Sequence, residues 1–230
     1  MRGMGPPPSL AVIVPTLDEA GELRRHLPEL AAMADEVVVS DGESSDGTAD
    51  VARELGATVV VGPAGRGGQL NRGAAASTAD VLVFLHADTR LPPGAADRVR
   101  AALAAGAPGG GFLVRFDDRR PLLALGERLV NLRTRATRLP LGDQAQFTRR
   151  ATFDELGGFR EWPVLEDLDF ALRLRRRGRP AVLAPPVTTA ARRFVAGGIF
   201  RTVARNWLIW GLFACGVPPR RLARLYRKVR

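Results

Sequence analysis

An α/β fold, with a mostly parallel sheet and helices on both of its faces, is predicted by three features of this 230-residue sequence. Short, nearly all-apolar runs are typical of buried parallel strands. Segments with helical periodicity separate these runs, as in a parallel sheet built from strand–helix–strand units. Polar side chains follow several runs directly, and ligands bind in the crevice at the carboxyl ends of such strands.

Four strands and three helices are predicted in the first half of the chain. The strands are residues 10–14, 36–40, 58–61 and 81–85. The first helix carries Leu23, Leu27 and Leu30 on one face, the second begins near Ser45 or Asp46, and the third covers about 69–77 after the glycine-rich loop 62–68. The polar side chains that follow the strands are Thr16 and Glu19, Asp41, Arg66, and His86 with Asp88.

The second half is less regular. Three glycines, 109–111, precede an alternating run of Phe112, Val114 and Phe116 that predicts a strand. Helices are predicted over 121–139 and 166–177. Residues 199–230 contain an apolar, tryptophan-rich stretch and then a basic amphipathic helix with Leu222, Leu225 and Val229 on one side.

The composition favours a folded, cytosolic protein. Hydrophobic residues make up 46% and charged residues 25% of the chain, as in ordinary globular domains. The single cysteine, Cys215, excludes an intrachain disulfide, and two histidines are too few for a polyhistidine zinc site. Residues 1–8 are expected to be a disordered leader without the apolar stretch of a secretory signal. The run 207–217 is shorter than the roughly 18 residues that span a bilayer.

Charge is distributed unevenly along the chain. Residues 1–169 carry a net charge of −5, whereas the last 61 residues carry 15 basic side chains and no carboxylate. This asymmetry indicates either an anionic partner or a solvated arginine-rich face. For the C-terminal segment three alternatives stay open: docking at a membrane surface, packing on the domain, and dimerisation.

Two carboxylates at strand ends and two at a helix start are candidate site residues. Asp41 is placed to accept hydrogen bonds from a nucleobase or ribose, and Asp88 to hold a hard divalent cation that binds substrate phosphates. Glu166 and Asp167 begin a helix, where a carboxylate with a raised pKa can act as a general base. The alternatives are turn formation for the first two and complementing the helix dipole for the others.

Five segments, taken in order, resemble a family 2 glycosyltransferase with the GT-A fold over about residues 9–185. They are VIVPTLDEAGE, VVVSDGESSDGT, GRGGQLNRGA, VLVFLHADT and LGGFREWPVLEDLDFALRLRRRG. The HADT form, the GDQ at 142–144 and the C-terminal RNW…GVPPRRLARLY further resemble the subgroup of arsenosugar-biosynthesis-type glycosyltransferases. The resemblance implies a Rossmann-like domain over 9–190, with a nucleotide-binding half (9–90) and an acceptor half (91–190), followed by a basic helical appendage (191–230).

The resemblance also implies an enzyme that moves a sugar from a nucleoside diphosphate donor, with a UDP-sugar the usual case, to an acceptor hydroxyl with inversion. The implied donor-binding residues are Pro15, Thr16, Glu19, Asp41, Arg66, His86, Ala87 and Asp143. Asp88 is the implied ligand of Mn²⁺ or Mg²⁺, and His86 stands where the family has a first metal-binding acid. Asp167 is the implied base, supported by Glu166. His86 and Trp162 remain open between ligand contact and packing.

The acceptor is expected to be a small molecule or a polyprenyl phosphate. A second hypothesis, nucleotidyl transfer to a sugar phosphate, predicts a glycine-rich basic loop after the first strand, where this sequence has the acids of PTLDEAGE. A third, a non-catalytic protein that binds anionic membranes or nucleic acid, rests on the basic C-terminal segment. No nucleic acid is expected as a partner, because the sequence has no recognisable binding module for it.

Overall fold

The computed structural model describes residues 6–191 and 199–225. The strands are β1 (Leu10–Thr16), β2 (Glu36–Asp41), β3 (Thr58–Val61), β4 (Val81–Phe84), β5 (Thr89–Arg90), β6 (Gly109–Phe116), β7 (Gln146–Arg149) and β8 (Ala181–Thr189). The α-helices are α1 (Ala20–Ala31), α2 (Thr48–Glu54), α3 (Arg66–Ala75), α4 (Ala95–Ala104), α5 (Pro121–Thr137), α6 (Arg150–Glu155), α7 (Glu166–Arg176), α8 (Ile199–Ala214) and α9 (Pro219–Leu222). Short 3₁₀ turns lie at Gly142–Gln144 and Ala223–Leu225.

One sheet joins these strands in the order β3-β2-β1-β4-β7-β6-β8-β5. The first four strands pair in parallel, β7 is antiparallel to both β4 and β6, and β5 is antiparallel to β8. The sheet is therefore mostly parallel, which confirms the predicted fold class. The carboxyl ends of β1, β2 and β4 meet at one edge, where the polar residues of the sequence follow them.

Alternation along β1 explains the helices on both faces. Val12 and Val14 point into a core with Leu23 of α1, while Ile13 points into a second core with Leu70 of α3. All of these side chains are buried, so the strand is apolar on both sides, as its sequence predicts.

The helix α3 starts three residues before its predicted beginning. The Gln69 side chain accepts a hydrogen bond from the Gly65 N–H at 3.1 Å, so it reaches back and satisfies an amide at the helix start. Arg66 therefore lies in the first turn of a helix and not in a loop. The helix α2 begins at Thr48, two residues after Asp46, whose carboxylate accepts a hydrogen bond from the Thr48 N–H at 3.0 Å.

Five elements were not predicted: α4, α6, β5, β7 and β8. The strand β5 is only two residues long. Pro185 and Pro186 lie in the middle of β8, and proline disfavours a strand interpretation because it donates no ladder hydrogen bond. The ladder between β6 and β8 also shifts register between Phe112 and Val114.

The C-terminal helices pack on the domain beside α5 and α7. Leu165 and Leu168 at the start of α7 form a buried cluster with Ile209 of α8 and Leu222 of α9. Leu225 is 43% exposed, and Val229 lies outside the described residues, as do residues 1–5 of the predicted leader. Among the residues that the structure describes, no helix is long and apolar enough to cross a membrane.

Candidate functional site

The first part of the site lies where β1 and β2 end side by side. Thr16 and Asp41 are register partners, and the Thr16 hydroxyl donates to Oδ1 of Asp41 at 3.0 Å. Ser44 donates to the same carboxylate through its N–H at 2.9 Å and its hydroxyl at 2.6 Å. Asp41 is only 1% exposed. Its carboxylate, predicted to hold the nucleobase, thus also organises its own loop.

The loops after β1 and β2 are tied together by a second set of hydrogen bonds. The Asp18 N–H donates to Ser44 Oγ at 2.8 Å, and the Ser45 N–H donates to Asp18 Oδ1 at 2.9 Å. The Glu19 N–H donates to Thr48 Oγ1 at 2.9 Å. Pro15 and Glu19, two of the predicted nucleotide-binding residues, are half-buried along this double loop. The loops therefore form one ordered wall of the crevice.

The first turn of α3 joins this wall to the other half of the site. Gln69 Nε2 donates to the carbonyl oxygens of Thr16 at 2.7 Å and Ser40 at 2.9 Å. Arg66, one helical turn earlier, places Nη1 3.4 Å from Oε1 of Glu166. Sequence reasoning missed Gln69, although a glutamine after a glycine-rich loop was a visible signal.

The segment after β4 makes a tight turn that carries His86, Ala87 and Asp88. The Thr89 N–H donates to the carbonyl of His86 at 3.0 Å. Ala87 is 7% exposed and belongs to the core, whereas His86 and Asp88 are half-buried. Asp88 Oδ1 lies 3.4 Å from the Thr89 hydroxyl, which donates to it.

The start of α7 holds Asp167 beside the 142–144 turn. Its Oδ2 accepts a hydrogen bond from the Gly142 N–H at 2.9 Å, and its Oδ1 accepts one from the Leu168 N–H at 2.7 Å. A Cβ on Gly142 would lie 3.0 Å from His86 Nε2 and 3.2 Å from Asp167 Oδ2. His86 and Asp167 therefore flank the same glycine, and no larger residue fits between them without a shift.

Three carboxylates and two guanidinium groups influence one another here. Burial raises the pKa of Glu166, the Asp167 carboxylate raises it further, and Arg66 opposes both. Burial likewise raises the pKa of Asp143, against the opposing effect of Arg133. Burial lowers the pKa of Arg133, while Asp143 and Asp167 counteract it. The predicted residues Arg66, Asp143, Glu166 and Asp167 thus share one electrostatic environment.

Arg133 is a member of this environment that the sequence did not reveal. It lies on α5, where the sequence predicted only a helix over 121–139. Its Nη2 donates to Thr134 Oγ1 at 2.7 Å and to Gln144 Oε1 at 2.8 Å. Its guanidinium carbon lies 5.0 Å from the centroid of the Trp210 ring on α8, a cation–π arrangement. The C-terminal helix therefore covers this side of the site.

Residues 157–162 make ring contacts and backbone hydrogen bonds with α8 and α3. Trp162 is half-buried, with its ring centroid 6.0 Å from that of Phe213 on α8. Gly158 has φ +64°, and a Cβ there would lie 2.6 Å from Oδ1 of Asn71. Asn71 brackets the backbone of Phe159 by donating to its carbonyl and accepting from its N–H, both at 2.9 Å.

Asp169, the third acid at the start of α7, is engaged outside the cluster. It pairs with Arg173 at 2.7 Å. This ion pair is between residues four apart on one helix, so it stabilises α7 locally. Because its carboxylate is engaged with Arg173, Asp169 is a weaker candidate for a base than Asp167.

Backbone strain also marks the site. Leu165, directly before α7, has φ +67°, and Ala145, directly before β7, has φ +47°. Both residues are buried, and left-handed backbone costs a non-glycine residue about 1–2 kcal/mol. Such strain accumulates at functional sites, where the surrounding structure holds it in place.

The side chains around Asp88 suit a divalent cation that binds together with a substrate phosphate. Within residues 6–191 and 199–225, no three His, Cys, Asp or Glu side chains come together to hold a metal ion. Mg²⁺ and Mn²⁺ commonly bind through one or two carboxylates together with substrate phosphates. The half-buried carboxylate of Asp88 fits that mode of binding.

Comparisons with known proteins identify a family and several structures with the same fold. The family model described as Glycosyl transferase family 2 matches residues 11–160. No curated protein matches the chain closely enough to count as a relative.

Three solved structures share the fold over 80% of this chain. The mannosyltransferase PcManGT from Pyrobaculum calidifontis, in complex with GDP-Man and Mn²⁺, is 24% identical with a TM-score of 0.59, and 56% of it is covered. TarS 1–349 from S. aureus is 19% identical with a TM-score of 0.60 and 61% covered. Mannosyl-3-phosphoglycerate synthase from Rubrobacter xylanophilus is 20% identical with a TM-score of 0.51 and 66% covered. The chain thus spans less than two thirds of each of these proteins.

Proposed function

This chain belongs to glycosyl transferase family 2, and we propose that it transfers a sugar from a nucleoside diphosphate sugar to an acceptor hydroxyl with inversion at the anomeric carbon. The observation that carries the proposal is the placement of Asp167. Its carboxylate accepts hydrogen bonds from the N–H groups of Gly142, in the 142–144 turn, and Leu168, in α7, and it lies across Gly142 from His86. The family assignment supports glycosyl transfer, and the carboxylate supplies a base for it.

Asp167 acts as the general base. Each oxygen of its carboxylate accepts one backbone hydrogen bond and retains a further lone pair for the acceptor hydroxyl. The acceptor oxygen gives its proton to Asp167 and forms a bond to the anomeric carbon. The bond from that carbon to the diphosphate oxygen breaks on the opposite face, and the nucleoside diphosphate leaves with the electron pair. A base of this kind contributes roughly 10²–10⁴-fold to the rate.

Glu166 and Arg66 position this centre. The Glu166 side chain is 4% exposed and its oxygen lies 3.4 Å from Arg66. Because an unpaired buried charge is strongly destabilising, the pair keeps the first turn of α7 against the first turn of α3. Asp143, which shares the same environment, is assigned to a hydroxyl of the donor sugar.

The wall formed by the loops after β1 and β2 is assigned to the nucleoside. Pro15, Thr16, Glu19 and Asp41 lie along it, and its hydrogen bonds keep it ordered before a ligand arrives. Preorganisation of this kind lowers the cost of binding. A UDP-sugar is the expected donor, and a GDP-sugar is the alternative because one fold relative was solved with GDP-Man.

Asp88 is assigned to a divalent cation, Mn²⁺ or Mg²⁺, which it would hold together with the donor diphosphate. When bound, such a cation acts as a Lewis acid and neutralises the charge that develops on the leaving diphosphate. His86, two residues before Asp88 in the same turn, faces Gly142 beside Asp167.

A donor panel on the full chain tests the proposal. UDP- and GDP-sugars are titrated calorimetrically with and without Mn²⁺, and the product's anomeric configuration is read by NMR. Asp167→Asn keeps the shape of the side chain and is expected to lower transfer by about 10²–10⁴-fold with donor affinity unchanged. Asp97→Asn, at a side chain 88% exposed on α4, is the matched control. Retention of configuration, or full activity of Asp167→Asn, would contradict the proposal.

A further inference from the structure

The outer side of α5 carries four exposed leucines, which we call the leucine face. Leu122, Leu125, Leu129 and Leu132 are 38%, 50%, 53% and 64% exposed. Their spacing of three, four and three residues places them in one stripe along the helix. Isolated exposed leucines are ordinary, but a contiguous apolar stripe marks an interaction surface.

The charged groups around the leucine face are arginines. Arg128 and Arg135 are exposed along one side of it. The one carboxylate within α5, Glu127, is half-buried and accepts a hydrogen bond from the Phe116 N–H at 3.3 Å. Just before the helix, Asp117 accepts a hydrogen bond from the Ala191 N–H, and Asp118 is paired with Arg120. The exposed side of α5 is therefore apolar and positive.

The neighbouring C-terminal helices extend the same surface chemistry. The helix α8 lies beside α5, joined by the contact of Arg133 with Trp210, and it exposes Leu208 at 56%. Arg220 and Arg221 on α9 are exposed, as is Arg224 after it. From residue 170 to the end, the sequence contains 15 basic residues and no carboxylate.

We propose that the leucine face docks on an anionic membrane surface, with the leucines among the acyl chains and the arginines at the phosphate headgroups. Amphipathic helices with leucines on one side and arginines on the other bind at this depth of a bilayer. Two copies of the chain joined along this stripe would have no exposed carboxylate of α5 to place opposite Arg128 and Arg135, whereas paired helices balance such flanking positions with opposite charge. Lipid phosphates supply the missing negative charge.

Docking would bring the part of α5 that lies beside Asp143 and Asp167 close to the headgroup layer. Leu132, the most exposed of the four leucines, directly precedes Arg133, whose guanidinium interacts with Asp143 and Asp167. The acceptor hydroxyl would then belong to a molecule held at the membrane surface. This consequence rests on the proposed function, while the docking surface itself does not.

Vesicle flotation with the full chain tests the surface. The vesicles contain phosphatidylglycerol and phosphatidylcholine in equal parts, or phosphatidylcholine alone. The wild type is expected to float with the anionic vesicles. The double variant Leu125→Gln/Leu129→Gln keeps the net charge and is expected to bind about tenfold more weakly or worse, because it removes the apolar contact. Arg128→Gln/Arg135→Gln is expected to lose about tenfold on the anionic vesicles and to show little change on the neutral ones.

Matched controls place the same changes on other surfaces. Val61→Gln alters an apolar side chain that is 51% exposed on β3, and Arg24→Gln/Arg98→Gln removes two exposed arginines from α1 and α4. Both controls are expected to bind as the wild type does, and thermal melting checks that every variant is folded.

Three outcomes would overturn the inference. The wild type does not float with anionic vesicles, or Leu125→Gln/Leu129→Gln floats as well as the wild type does. In the third, the wild type sediments as a dimer, Leu125→Gln/Leu129→Gln sediments as a monomer, and neither protein binds vesicles. The leucine face would then be a contact between two copies of the chain. Failure of the transferase proposal would instead appear as absent binding of UDP- and GDP-sugars by the wild type, whatever the vesicles show.

Discussion

Arg66 and Glu166, one hundred residues apart in the sequence, meet across the crevice with Nη1 of the arginine 3.4 Å from Oε1 of the glutamate. The Glu166 side chain is 4% exposed and that of Arg66 is 31% exposed. The contact connects the first turn of α3 to the first turn of α7, which contains the proposed base Asp167. Its charge balance therefore bears on the protonation of the site.

Arg66→Gln is expected to shift the pH dependence of transfer. The arginine lowers the pKa of Glu166 against burial and Asp167, so its removal raises that pKa further. If catalysis requires the ionised pair, the acidic limb of the plot of kcat against pH moves to higher pH in Arg66→Gln. In Arg66→Lys, which keeps the positive charge, this shift is smaller. The double variant Arg66→Gln/Glu166→Gln lacks this titrating group and is expected to lose the part of the acidic limb that Glu166 sets. An unchanged limb in Arg66→Gln would argue against the coupling.

Asp88→Asn is expected to uncouple nucleotide binding from the cation. In the wild type, Mn²⁺ should tighten the binding of a nucleoside diphosphate, because the ion is shared between the phosphates and Asp88. Asp88→Asn is expected to bind the nucleoside diphosphate as the wild type does without metal, and to bind it no more tightly when Mn²⁺ is added. Calorimetry with and without Mn²⁺ measures both affinities. Asp97→Asn, with a side chain 88% exposed, keeps the gain. Equal gains in wild type and Asp88→Asn would place the cation elsewhere.

The raised pKa values of Asp143 and Glu166 predict a particular pH dependence of stability. The folded protein holds these protons more tightly than the unfolded chain, whose ordinary pKa values are 3.8 and 4.5. Their contribution to the free energy of unfolding is therefore lost as the pH rises from these values through the raised ones. The amide side chains of Asp143→Asn and Glu166→Gln do not titrate, so each variant should lose less unfolding free energy than the wild type over this pH range.

Urea denaturation of wild type and variants, from about pH 4 to pH 8, measures this difference. Other carboxylates with lowered pKa values, such as Asp46 and Asp118, contribute the opposite trend in all of the proteins. The quantity to compare is therefore the slope of the unfolding free energy against pH, in each variant relative to wild type, with Asp97→Asn as the control. Identical slopes would mean that neither carboxyl is perturbed as described.

Two glycine substitutions of the same type should have opposite effects on stability. A Cβ at Gly67 would lie 2.3 Å from the backbone oxygen of Arg160, so Gly67→Ala forces α3 away from that segment and costs about 1–3 kcal/mol. A Cβ at Gly126, within α5, meets nothing within 4 Å. Gly126→Ala should stabilise the protein by about 0.5–1 kcal/mol through helix propensity. Thermal melting of both variants checks the contrast, and stabilisation by Gly67→Ala would contradict the close approach.

Candidate site residues could be predicted where they come at the end of a strand that its own short sequence is enough to predict. Thr16, Asp41, His86 and Asp88 follow apolar runs that were each sufficient to predict a buried strand. The structure places Thr16 and Asp41 at the last residues of β1 and β2, and His86 and Asp88 just after β4. Gln69 and Arg133 were not predictable in this way. Their roles arise from hydrogen bonds and charge interactions with distant residues, which leave no periodic signal near them.

By itself, the sequence determined the fold class, the family and the edge of the sheet where the polar residues gather, because burial on both faces imposes apolar runs and helical periodicity on local segments. Only the tertiary structure decided which alternatives hold for individual side chains. It packed Trp162 against Phe213, turned Gln69 toward the strand ends, and left the leucines of α5 facing outward. These outcomes depend on which surfaces meet across long sequence separations, and a local pattern of residue types does not contain that information.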